Sequence, residues 1–181
     1  MKQYLQILKA VSEHGFHENG DYVIPSAIIQ HHFSTGFPIL TTRRLDYKAE
    51  VERVQAEILQ SMAIGIDNFG YSQSMDHYYF RIGEQLNLQV SLFHTDFFRD
   101  VPKALVYNAI MLLALCRECK LIPGMLTISC SKVCVKGEDL QSIRQQLMRK
   151  PKDLPDFGFT NWENIHEWEP NIQNYTCFPT L

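Results

Sequence analysis

The sequence is short of positive charge, of long apolar runs and of evenly paired cysteines, and each shortage removes a class of function. Seventeen Lys and Arg against twenty Asp and Glu leave a formal net charge of -3. There is no basic surplus to neutralise a phosphate backbone, so nucleic-acid binding as the main task is not expected. No stretch approaches the roughly 20 apolar residues that a membrane span needs. The opening MKQYLQILKAVSEHG lacks the uninterrupted apolar core of a secretion signal; a cytoplasmic protein with no membrane contact is expected. Five cysteines are an odd number for a disulfide framework and fit reduced thiols, most of them packed as small core residues. Repeats, low-complexity tracts and linkers are missing too, so nothing divides the chain.

What is present is an ordinary globular composition, with 45% hydrophobic and 20% charged residues in a chain of 181, enough to close one core without metal or disulfide. Residues 1–181 read as a single mixed α/β domain. Leu5, Ile7, Leu8, Val11 and His14 recur at helical spacing, with Gly15 placed as a left-handed cap. DYVIPSAIIQHHF predicts two strands kinked at Pro25. The turn Ser34-Thr35-Gly36 leads into FPILTTRRL, predicted to be extended. Val51, Val54, Ile58, Leu59 and Met62 give a second helix between Tyr47 and Met62. HYYFRI and LNLQVSLF, separated by Gly83-Glu84-Gln85, predict a hairpin with one face buried. ALVYNAIMLLALCREC, entered at Pro102, predicts a central buried helix. Pro123-Gly124 is expected to break it from the strand MLTISCSKVCV, and Glu138 to Lys150 reads as an amphipathic helix stopped by Pro151. The aromatic tail from Phe157 is expected to be irregular.

Several pairs of residues invite a chemical reading. Cys116, Cys119, Cys130 and Cys134 have a spacing reminiscent of zinc ligands, but a rigid helix followed by a strand rarely presents sulfurs tetrahedrally, so packed thiols and no metal are expected. His31 and His32 are neighbours on a strand and face opposite ways, which prevents joint chelation. The same alternation weakens Asp76 and His77 as an acid–base dyad. Arg43, Arg44 and Lys48 form a cationic cluster that suits a phosphate or carboxylate, against the alternative of a solvated edge. Trp162, Trp168 and Tyr175 can cover a ligand or pack on the core.

In order along the chain, MKQYLQIL, GFPILTTRRL, the hairpin followed by Asp96-Phe97-Phe98 and Val101-Pro102, the apolar helix, RKPKDLPDF and FTNWENIHEWEP together resemble the thymidylate synthase family. GFPILTTRRL is the most specific of these segments. The resemblance implies an α/β (α+β layered) fold, a thymidylate-synthase-like mixed sheet with helices packed on one face. It implies a homodimer formed through the other face. It also implies a deletion between about 62 and 76, where the family carries part of its nucleotide and folate pocket.

The same resemblance implies that much of the family's chemistry is missing. Carbon transfer to carbon 5 of a pyrimidine needs a thiolate to add at carbon 6. The family's Cys-His pair matches Asp76-His77 here. Its helix glutamate matches Arg53, its phosphate-binding arginine Phe93, and its base-reading asparagine Ala104. Its ribose-holding His and Tyr fall near Val133 and Val135, and its phosphate-closing Arg-Thr-Gly loop is replaced by ENGDYVIPS. Asp96, His77, Arg43, Arg44 and Lys48 persist. The sequence therefore predicts an inert relative that acts by binding or assembly with a nucleotide or protein partner, with Asp76, His77 and Asp96 as the only catalytic candidates and no cofactor. The alternative is a divergent methyl- or hydroxymethyltransferase that acts on a pyrimidine nucleotide with tetrahydrofolate. A partner that forms mixed dimers with a full-length synthase is a third option.

Overall fold

The computed structural model describes residues 1–64, 76–160 and 169–181. Helix α1 (Lys2–His14) buries Tyr4, Leu8 and Val11 along one stripe, the face that helical spacing dictates. Gly15 after it is extended, with φ -64° and ψ 147°, and is not the left-handed cap that the sequence suggests. Glycine is needed there for room: a Cβ would lie 2.5 Å from Val11 O and 3.0 Å from Val23 N. The chain thus turns tightly beneath its own helix into β1 (Phe16–Glu18), β2 (Asp21–Ile24) and β3 (Ala27–His32). Pro25 separates β2 from β3 as expected, because proline gives the ladder no N–H.

GFPILTTRRL joins no strand, yet Phe37, Ile39, Leu40, Thr41 and Thr42 are buried. A buried backbone must still be satisfied, and loops do this. Phe37 N donates to Pro155 O at 2.8 Å, Lys152 N donates to Thr41 Oγ1 at 3.0 Å, and Tyr175 OH donates to Leu40 O at 2.7 Å.

Helix α2 (Lys48–Ile64) follows, then the expected hairpin of β4 (Asp76–Ile82) and β5 (Gln85–Asp96), turned at Gly83 with φ 60°. Helix α3 (Val101–Glu118) is buried on nearly all sides. It carries the chain from β5 to the long strand β6 (Ile122–Lys136), which lies parallel to β5, the arrangement a helical crossover permits. The predicted break at Pro123-Gly124 is absent, since both residues belong to β6. Pro123 is tolerated near a strand start. Gly124 lets Asn87 come close: a Cβ would lie 2.4 Å from Asn87 Oδ1, which accepts from Met125 N at 2.8 Å.

Helix α4 (Leu140–Met148) is shorter than predicted, its first residues forming a 3-10 turn at Gly137–Asp139. The tail is more ordered than expected. β7 (Asp156–Thr160) and β8 (Glu169–Gln173) pair antiparallel, a small ladder disguised in the sequence by Pro155, Gly158 and Pro170. Trp162 and Trp168 lie outside the described residues.

The main sheet runs β1-β2-β6-β5-β4, with β3 also paired to β6. It is mixed, and the predicted α/β class holds. Ala27 and Ile29 of β3, Leu88 and Val90 of β5, and Leu126 and Ile128 of β6 face the helices and are buried. On the opposite face Ile28, Tyr78 and Ile82 are 59%, 66% and 64% exposed.

Candidate ligand-binding cleft

A cleft of about 420 Å³ lies where the start of α2, the end of β5 and the first turn of α3 meet, within the size range of small-molecule sites. Glu50 and Arg53 border it from α2. Val51, Val54 and Ile58 bind that helix to the core, which turns the next strip of its surface, three residues apart, toward the cleft. From the strand come Leu92, Phe93, His94 and Thr95, and from α3 Asp100, Lys103 and Ala104.

Asp96 shapes this corner. Its Oδ1 accepts from Phe98 N at 3.1 Å and Arg99 N at 2.9 Å, a local turn that swings the chain from β5 into α3. Burial holds its carboxyl above the ordinary range, against the lowering effect of the Arg99 N–H. Arg99 continues outward to Asp139 at 2.7 Å and Glu138 at 2.6 Å.

Glu50 is the unusual group. It is only 9% exposed, yet its carboxylate makes no hydrogen bond or ion pair among the described residues. Burial raises its pKa, while Arg53 and Lys103 act in the lowering direction. The Arg53 guanidinium lies over the Tyr107 ring, 4.5 Å from its centroid. Arg53, Asp100 and Lys103 are exposed at the rim.

The residues predicted from sequence are dispersed. His77 Nε2 lies 2.7 Å from Asn108 Oδ1. Asp76 opens β4 opposite Ser91, and its side chain lies outside the described residues. Arg43 turns inward: Nη2 donates to Phe98 O and the guanidinium lies 4.1 Å from the Phe98 ring centroid. Arg44 and Lys48 are exposed, and among the described residues the cationic trio is not gathered on one partner. Val133 and Val135 are fully buried in the core. Arg53, Phe93 and Ala104, by contrast, border the same cleft. Glu50 and Lys103 escape the sequence reading; the signal for Glu50 is its spacing of three from Arg53.

No cysteine borders the cleft among the described residues. One comes near: Cys134 Sγ lies 3.6 Å from His94 Nε2 and 3.5 Å from Thr95 O. That thiol is 4% exposed and is pushed up in pKa, chiefly by burial and then by Asp96, the reverse of an activated nucleophile. Cys116 and Cys130 are buried and raised to about 11 by desolvation, while Cys119 is exposed. Among the described residues no group of three or more His, Cys, Asp or Glu is placed to hold a metal. His31 and His32 part company as expected: His31 Nε2 meets Gly36 O at 2.8 Å, and His32 Nδ1 accepts from Ser34 N at 3.3 Å.

The arrangement sets the deeper Glu50 carboxyl beneath a rim of two cations, Arg53 and Lys103, and one carboxylate, Asp100. Among the described residues no thiol lines it. No protein-family model matches the chain, and no curated protein matches it.

Proposed function

We propose that the protein is a catalytically inert, thymidylate-synthase-like protein that works by binding a small anionic ligand, a nucleotide first among the candidates, in the cleft between α2, β5 and α3. The supporting observation is the lining of that cleft. Arg53, Phe93 and Ala104 border it, at the positions where the resemblance implies an acid–base glutamate, a phosphate-binding arginine and a base-reading asparagine. An arginine is neither acid nor base at neutral pH, and without a thiolate the pyrimidine ring is not activated. Incubation with dUMP or dCMP and methylenetetrahydrofolate is expected to release no tritium from carbon 5; release from either nucleotide overturns this reading.

A second reading, a divergent pyrimidine-nucleotide methyl- or hydroxymethyltransferase with tetrahydrofolate as donor, is favoured by one observation. Glu50 restores a carboxyl to the cleft one helical turn before Arg53. The same assay decides between the two. The sheet face that bears Ile28, Tyr78 and Ile82 suits a homodimer, since exposed apolar surface is costly in a monomer. Sedimentation at micromolar concentration is expected to give twice the mass of the chain, and a monomer there removes the dimer.

A further inference from the structure

Resting on the reading of the α2–β5–α3 cleft as a binding site, we infer that its ligand is an amino-substituted heterocycle carrying an anionic group. Glu50 accepts the amino N–H inside, and Arg53 and Lys103 take the anion at the rim.

The starting point is Glu50 itself. Glu50 is 9% exposed as a residue and has no hydrogen-bond partner among the described residues, yet its carboxyl is not sealed in the core: it is partly desolvated and open to a donor that enters the cleft. It belongs to the cleft surface, so a ligand can supply the missing donor.

The charges fix the orientation of that ligand. Arg53 and Lys103 are exposed at the mouth, whereas Glu50 lies deeper. Arg53 and Lys103 outweigh the one carboxylate at the mouth, Asp100, whereas Glu50 repels an anion from the interior, so the anion belongs at the rim and the donor end points inward. The two cations that act on Glu50 also disfavour a charged ammonium beside it, which leaves a neutral N–H as the fitting donor. The apolar Leu92 and Ala104, and the flat guanidinium of Arg53 laid over Tyr107 at 4.5 Å, suit a planar ring rather than a flexible chain. Glutamate paired with a ring amino group is the pairing that carboxylates make with cytosine.

Titration calorimetry of the whole chain with cytidine, uridine and adenosine monophosphates and inorganic phosphate tests this. Cytidine monophosphate, adenosine monophosphate or both are expected to bind at least about tenfold tighter than uridine monophosphate, the discrimination that a lost buried hydrogen bond allows. Which of the two binds distinguishes an aminopyrimidine from an aminopurine. Glu50→Leu is expected to abolish that preference while leaving the weaker uridine monophosphate and phosphate binding in place. Glu50→Gln keeps an acceptor and is expected to retain the preference. Equal binding of uridine and amino nucleotides, or a preference unchanged in Glu50→Leu, overturns the role of Glu50 and leaves the cleft as a site. Absence of binding by all four probes overturns both. Amino-selective binding together with tritium release would overturn only the inert reading.

Discussion

His77 of β4 and Asn108 of α3 are joined across the sheet–helix boundary, with His77 Nε2 2.7 Å from Asn108 Oδ1. The Asn108 amide nitrogen is already committed, donating to Ala104 O at 2.8 Å. Its oxygen is therefore the acceptor, and His77 carries its hydrogen on Nε2 in this bond. Asn108 is fully buried, so the pair fastens the hairpin to the central helix. Asn108→Ala is expected to destabilise the fold by about 1–3 kcal/mol, the cost of leaving buried polar groups unpaired. A urea titration checks it, and an unchanged midpoint would mean that the bond contributes nothing.

Glu50 makes stability depend on pH in a specific direction. Burial raises its pKa above the unfolded value, with Asp46 adding to the rise and Arg53 and Lys103 opposing it. The folded protein thus holds this proton more tightly than the unfolded chain. The contribution is fully present below the ordinary carboxylate range and is lost as pH rises through the raised folded value. Glu50→Gln is expected to stabilise the protein at neutral pH and to lose that advantage near about pH 4. Denaturation of both proteins at the two pH values gives the comparison, and an equal effect at both would contradict the assignment.

Arg43 and Arg44 are adjacent in sequence but unlike in role. Arg43 is stacked on Phe98 and bonded to its carbonyl, whereas Arg44 is exposed. Arg43→Ala is expected to cost about 1–2 kcal/mol, and Arg44→Ala to stay within about 0.5 kcal/mol of the parent. Thermal melts distinguish them, and equal losses would refute the division.

Gly36 holds φ at 101°, and a Cβ there would lie 2.7 Å from Leu154 Cβ. Gly83 has φ 60° with open space around it. Gly36→Ala is therefore expected to cost more than Gly83→Ala, about 2 kcal/mol or above against about 1 kcal/mol. The reverse order in denaturant unfolding would show that the 154–155 segment yields easily.

Elements announced by periodicity were legible in the sequence. The apolar stripe of α1, the alternation of β4 and β5 and the all-round apolarity of α3 each reflect burial on one or every side, and burial selects residue type. Elements governed by close approach were not. Gly15 and Gly124 look like stops, and the fold uses them because a helix carbonyl and an asparagine side chain need the space of a Cβ. The loop 37–45 looks extended, but its burial is satisfied by distant partners such as Lys152 and Tyr175, which no local pattern reveals. At the cleft, the helical spacing of Glu50 and Arg53 is visible in the sequence. That β5 and α3 would close over that strip is a matter of topology.

The strand β6 is shared. Ile24 of β2 lies opposite Val133, Ile29 of β3 lies opposite Ile128, and Val90 of β5 also matches Ile128 from the other side. During synthesis, then, β2 and β3 leave the ribosome long before the residues to which they hydrogen-bond. Apart from the β1–β2 ribbon, the early strands must wait for most of the polypeptide before their ladder can form. Such distant pairing makes folding slow and leaves strand edges bare in the meantime. A nascent chain halted before Ile122 therefore leaves the edges of β2, β3 and β5 that face β6 without their partner.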